Sequence, residues 1–421
     1  MGRKTTDKVI FENVKVLDAG AKGVSVAKAP DGKVIFIPNV VPGDVVDLKT
    51  CKKRKAYYEG KAINFHEFSE DRIEPICQHF GACGGCKWQH MNYDRQLFYK
   101  NQEVYNNLKR IGKIELPEFE PILGSEKQFF YRNKMEFSFS NSRWLTEKEI
   151  QSEEDYSNQN ALGFHIPRMW DKILDITKCH LQEDPSNAIR LAVKKFAENK
   201  GLDFFDVKNQ EGFLRTLMMR QNSKGEWMVL FQLYREEKEN REKLFEFLLE
   251  KFPQIKTLVY AINPKQNDSI YDLNINIYFG EGYLMEEMDG LKFKIGAKSF
   301  FQTNYKQALE LYRKTLEFGP QIREIYEVRT FIRSRLKAII DADAETCIAL
   351  ASEFDGILPS SSRGRGAIIK FLKGAFNYVA FRDAKSGWSA YTLCEKSIYK
   401  VCPYCHINTT ETVPRSPGKK G

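Results

Sequence analysis

The 421-residue sequence predicts an α/β multidomain protein. It should have a small N-terminal β-barrel of the oligonucleotide-binding type, a central α+β domain, and a C-terminal region of different texture. Three observations carry this. Five short strand-like segments with Gly, Pro and Asp turns fall within the first 65 residues, too little chain for two packed sheets but enough for a closed barrel. Residues 120–300 mix alternating strand patterns with amphipathic helices. After Gly319 the patterning weakens, and Ser360-Ser-Ser-Arg-Gly-Arg-Gly366 breaks it. The expected divisions are 1–66, 67–302 and 303–421.

The barrel strands are read at Phe11–Leu17, Gly23–Ala27, Lys33–Pro38 and Val45–Thr50, with Pro42-Gly-Asp44 as a turn. Residues 1–65 hold 13 basic and 7 acidic side chains, so this module is basic while residues 66–318 are slightly acidic. A basic barrel on a near-neutral body fits a polyanionic partner, most plausibly nucleic acid. Lys52, Lys53, Arg54 and Lys55 stand beside Tyr57 and Tyr58, the mix of charge and stacking rings that such barrels use. A solvated hairpin edge is the alternative for this run.

No apolar run approaches 18 residues and the N-terminus has no apolar leader, so no membrane association and a cytoplasmic, reducing location are expected. In that setting clustered thiols read as metal or cluster ligands. Cys77, Cys83 and Cys86 crowd into ten residues with glycines between them. Asp94 is the expected N-cap of a helix through Arg110, with Leu97, Phe98, Val104, Tyr105, Leu108 and Ile111 on its apolar face. Tyr131–Ser140 reads as a strand. Phe213–Arg220 and Glu226–Tyr234 flank Asn222-Ser-Lys-Gly225 as a hairpin. Asn240–Phe252 reads as a helix, Thr257–Ile262 and Asn274–Phe279 as strands. Gly290–Phe301 is strand-like, and Thr303 or Asn304 caps a helix to about Phe318.

Three stretches together resemble the TRAM-domain, iron-sulfur RNA uracil-5-methyltransferases that act on 23S ribosomal RNA. They are the basic barrel, the run Cys77-x5-Cys83-Gly-Gly-Cys86 followed by Trp88-Gln-His90, and Tyr131-Arg-Asn-Lys-Met135 combined with Lys298-Ser-Phe-Phe-Gln302-Thr-Asn304. The resemblance implies a [4Fe–4S] cluster on Cys77, Cys83, Cys86 and Cys179. Thiol spacing alone also admits tetrahedral zinc. His79, His90 and His180 read as loop or packing residues. The resemblance further implies S-adenosylmethionine as methyl donor with Gln302 at its site, Phe300 stacking on the displaced or a neighbouring base, and Arg132, Asn133 and Lys134 facing RNA phosphate or supporting the site. A satisfied surface is the alternative for those three. The implied chemistry is addition of a cysteine thiolate to C6 of uracil, methyl transfer to C5, and removal of the C5 proton by a base. A monomer working on 23S ribosomal RNA is expected.

The resemblance also calls for a Rossmann-like methyl-donor domain after Phe318, with an Asp-Leu-Tyr-x-Gly-x-Gly turn and a cysteine loop. Residues 319–421 carry neither motif. A frameshifted tail is the preferred account. A small zinc module on Cys394, Cys402, Cys405 and His406 is the other. The chain as written is expected not to transfer methyl groups.

Overall fold

A computed structural model describes residues 9–318 apart from Ile114, Pro117 and Arg168; the side chains of Lys52, Lys53 and residues 316–318 are also outside the described set. In chain order the elements are β1 Ile10–Ala19, β2 Val24–Lys28, β3 Val34–Pro38, β4 Val45–Lys53, β5 Tyr57–Glu67, α1 Tyr93–Asn106, β6 Lys134–Ser140, β7 Arg143–Trp144, α2 Glu147–Ile150, β8 Ala161–Ile166 and β9 Met169–Asp175. Then come α3 Ser186–Asn199, β10 Leu214–Gln221, β11 Trp227–Leu233, α4 Lys238–Lys251, β12 Ile255–Ile262, β13 Asn276–Phe279, β14 Tyr283–Met288, β15 Leu291–Gly296 and α5 Tyr305–Phe318. They fall into two units. The first runs to Phe130 and resumes over Ser140–Leu181; the second is Tyr131–Phe139 with the chain from Gln182 onward.

In the first unit, β1–β5 close a barrel in the order β1-β2-β3-β5-β4. Only β3 and β5 run parallel. Alternation along each strand sends Val14, Val16, Ala27, Ile35, Ile37, Val46 and Leu48 into one core. The barrel is tied to the segment after it. Asp44, wholly buried, accepts from the amides of Val41 (2.7 Å) and Ser69 (2.9 Å) and from Arg72 Nη2 (2.5 Å). Two turns need glycine for the same junction. A Cβ on Gly43 (φ +103°) would lie 2.7 Å from Ser69 Oγ, and one on Gly23 (φ +72°) would lie 2.3 Å from Lys87 Cβ.

Helix α1 differs from the sequence expectation. Its cap is Asn92, whose side chain accepts from the Arg95 amide at 2.9 Å, and not Asp94. A π-turn over Asn107–Ile111 continues it to Gly112. The expected apolar face is not a buried face: Phe98, Val104 and Ile111 are exposed, and Tyr99 is the residue that enters the core beside Val41 and Met91. Helix α2 carries a full capping box between Thr146 and Glu149. Strands β7 and β9 pair in parallel, and β8 and β9 form an antiparallel hairpin.

The second unit is built on strands in the order β13-β12-β11-β10-β6. Strands β10 and β11 form the expected hairpin, its turn closed by Asn222, whose side-chain oxygen accepts from the amides of Lys224 (3.1 Å) and Glu226 (2.9 Å). Strands β11 and β12 are parallel, which requires the crossover that α4 supplies. Phe231 of β11 meets Phe245 of α4 at 5.2 Å, both fully buried. The strand expected through Phe301 stops at Gly296 and pairs with β14. Asn304 caps α5 by accepting from the Gln307 amide at 3.2 Å.

Candidate functional site

Residues 68–92 of the first unit contain almost no regular structure, so side chains and turns must shape them. The Phe80 amide donates to the Cys77 carbonyl (2.9 Å) and the Cys83 amide to the His79 carbonyl (2.8 Å), which winds the chain between the first two thiols. Gly84 passes under the β8–β9 hairpin, where a Cβ would meet the His165 carbonyl at 3.2 Å and Pro167 Cγ at 3.4 Å. Cys77, Cys83 and Cys86 are half-buried, Cys179 is buried, and all four are free thiols. Burial pushes the Cys83 thiol up to about 11; the Gly85 amide opposes this, and the neighbouring Cys86, Cys179 and Cys77 add to the rise. Thus Cys179, distant in sequence, stands within electrostatic reach of the clustered thiols. Two donors face sulfur: the Gly85 amide at 3.4 Å from Cys83 Sγ and Gln89 Nε2 at 3.2 Å from Cys86 Sγ. Gln89 was not singled out by the sequence. Among the described residues, no three His, Cys, Asp or Glu side chains are arranged to close on a single metal ion.

His90 is buried beside Phe80, ring centroids 4.9 Å apart. Burial, reinforced by the Arg72 charge, lowers its pKa to about 4, so it is a neutral packing residue at pH 7.

The second unit brings together Asn133, Phe300 and Gln302. Asn133 begins the approach to β6 and is buried, not displayed as a surface residue. Its amide donates to the Thr303 carbonyl (2.8 Å), its side-chain Nδ2 to the Gln302 carbonyl (2.9 Å), and its carbonyl accepts from the Gln221 amide (2.9 Å). Arg220 of β10 adds a bond from Nη2 to the Ser299 carbonyl at 2.8 Å. These bonds hold residues 299–303 against the start of β6 and the end of β10. Phe301 turns inward toward Phe293 at 5.9 Å, while Phe300 is left 52 % exposed. Gln302 is exposed, and its side chain hydrogen-bonds Tyr312 of α5, whose phenol is pushed up by burial. Lys134 is half-buried; burial lowers its pKa, and the nearby Arg220 and Arg132 charges add to this while Glu136 opposes it. Arg132 Nε reaches the Lys134 carbonyl at 3.4 Å. Arg220 and Tyr312 were not anticipated, since nothing in their local sequence marks them.

On the barrel, Arg54 and Lys55 are exposed in the β4–β5 turn, whereas the side chains of Lys52 and Lys53 lie outside the described residues. The two adjacent rings do not form a shared stacking surface. Tyr58 is in the barrel core, edge-on to Phe11 at 5.4 Å, with its hydroxyl donating to Asp31 at 2.8 Å. Tyr57 is half-buried against Phe36. The period-two alternation of β5 decides this: neighbouring residues face opposite sides. Cys394, Cys402, Cys405 and His406, and the expected donor domain, lie outside the described residues.

No family model matches the chain. An RNA methyltransferase of Bacteroides thetaiotaomicron, itself uncharacterised, is 50% identical over 302 residues, covering 71% of this chain and 66% of the relative. One of Porphyromonas gingivalis is 46% identical over 311 residues, covering 73% and 67%. The chain thus spans about two thirds of the length of the curated relatives it matches. Among solved structures, the Pyrococcus abyssi tRNA (uracil-54, C5)-methyltransferase in complex with S-adenosyl-L-homocysteine aligns with a TM-score of 0.52 at 24% identity, over 72% of this chain and 65% of that one, which shows a shared fold. No described helix is long and apolar enough to cross a membrane. With two relatives at 46% and 50% identity across about two thirds of their own length, the chain belongs to the RNA methyltransferase family.

Proposed function

We propose that this chain is the RNA-recognition and cluster-bearing part of an S-adenosylmethionine-dependent uracil-C5 methyltransferase of 23S ribosomal RNA, with a [4Fe–4S] cluster on Cys77, Cys83, Cys86 and Cys179. The observation that supports it most is the gathering of four free thiols from two distant segments, with amide donors aimed at two sulfurs. A tetrahedral zinc needs every thiolate about 2.3 Å from one point. A cluster presents a separate iron to each thiolate, and the resemblance carried by the Cys77–Cys86 run favours it over zinc. A bound cluster supplies iron–thiolate bonds that brace a segment lacking ladder structure. Amide donors to sulfur are a known lever on cluster potential.

In the second unit the clamped 299–303 loop leaves Phe300 free to stack on an unpaired base and sets Gln302 beside it. Methyl transfer to C5 needs a thiolate, and the five described cysteines are the four of the cluster and exposed Cys51 on β4. Residues 319–421 lack the donor turn and the cysteine loop, and this favours a second reading in which the chain binds RNA without transferring methyl groups.

Anaerobically purified protein should be brown with about four irons per chain. Colourless protein with stoichiometric zinc overturns the cluster. Adding ribosomal RNA fragments and tritiated S-adenosylmethionine separates the two readings: label in the RNA supports the enzyme, and binding without label supports the second. RNA affinity should fall with salt, and replacing Arg54 and Lys55 by Glu should flatten the log–log slope by roughly 1–2. An unchanged slope moves the RNA surface off this turn.

A further inference from the structure

We propose that His79 is a latch that holds the Cys77–Cys86 loop onto the Cys179 segment, presetting the four thiols for their cluster; this rests on the cluster reading above. The ring nitrogen Nε2 of His79 accepts from the Thr177 amide at 3.0 Å and lies 2.9 Å from the Thr177 hydroxyl. Gln78 Nε2 donates to that same hydroxyl oxygen and lies 3.4 Å from the ring nitrogen. An Nε2 that accepts from a backbone amide carries no proton, which puts the neutral ring's proton on Nδ1. The ring is therefore bonded to the fold through Nε2 and unavailable to a metal there.

The same residue acts a second time through its backbone, because its carbonyl accepts from the Cys83 amide at 2.8 Å. One end of His79 sets Cys83; the other sets Thr177, two residues before Cys179. The contact bridges 98 positions of chain. Residues 77–86 have no ladder among the described residues, so losing the latch widens the separations the thiols sample, and assembly must pay more ordering entropy. These bonds are exposed to water, so their loss weakens the hold without abolishing it.

The test uses the full chain, reconstituted anaerobically with iron and sulfide, and follows loss of the brown absorbance under a chelator. His79→Ala should lose iron roughly tenfold faster than wild type, the size expected of one or two exposed hydrogen bonds. Thr177→Val keeps the amide donor and should lose iron about threefold faster. His79→Gln places an acceptor oxygen near the Nε2 position and should restore most of the retention. The metal-free variants should melt with the metal-free wild type. Equal loss rates for His79→Ala and wild type overturn the latch, as does a Gln variant no better than Ala. Wild-type protein that takes up no iron overturns the cluster reading and the latch with it.

Discussion

The β10–β11 hairpin, buried throughout, and the mostly half-buried or exposed 68–92 segment fix their backbones by opposite means. In the hairpin, Leu214–Arg220 and Trp227–Leu233 are all buried, and an antiparallel ladder with one irregularity between Leu214 and Thr216 pairs their backbones. Segment 68–92 has one isolated bridge, Arg72 with Met91, and relies on side chains such as Asp44, Asp71, His79 and Gln96. Ladders are local and repeat; side-chain bonds are individual and each depends on one residue. The sheet unit should therefore tolerate polar substitutions and fail on core deletions. The cysteine segment should do the reverse, which leaves it free to be shaped by what its thiols bind.

Phe231→Ala breaks the sheet side of this contrast most strongly. It empties the contact with Phe245 and should cost about 3–5 kcal/mol in denaturant unfolding. Asp44→Asn is the counterpart in the barrel unit. It leaves Arg72 beside a neutral amide and should cost about 1.5–3 kcal/mol, with raised amide exchange confined to residues 68–92. Equal exchange throughout the sheet would erase the distinction between the two means. Phe300→Ala should leave the melting temperature unchanged, since the ring is exposed, but weaken RNA binding by about 1–3 kcal/mol.

The gentlest effect is one of pH. The folded pKa of His90, about 4, lies below its ordinary 6.5 because the ring is buried and Arg72 is near, with Asp44 and the Val40 carbonyl opposing. Between these values the unfolded chain takes up a proton that the folded chain refuses. Its contribution is therefore whole above about pH 6.5 and is lost as pH falls toward 4. His90→Gln should flatten that part of the stability–pH curve; an unchanged curve would assign the acid sensitivity to other groups.

Much was legible before the fold was known, wherever one period dominates. The barrel strands, the Asn222–Gly225 hairpin and α4 follow from alternation and turn chemistry. Helix α3 was missed because Asn187 and Arg190 point inward and blur its stripe; Arg190 is buried over the Phe137 ring at 5.3 Å. The apolar face assigned to α1 was a true pattern in the sequence, yet Phe98, Val104 and Ile111 lie exposed among the described residues.

The sequence alone determined which residues are candidates for chemistry: thiols at 77, 83 and 86 with glycines between them, and the Phe300–Gln302 loop after a strand. Residue type and short spacing are local facts, and local facts are written in order along the chain. Only the tertiary structure decided that His79 reaches Thr177 and that Asn133 is buried and bonded to the 302–303 backbone. Each of these is a contact between residues some 90 or more positions apart. Such contacts arise when burying apolar surface brings segments together, and no period or motif in the chain records which segments those are.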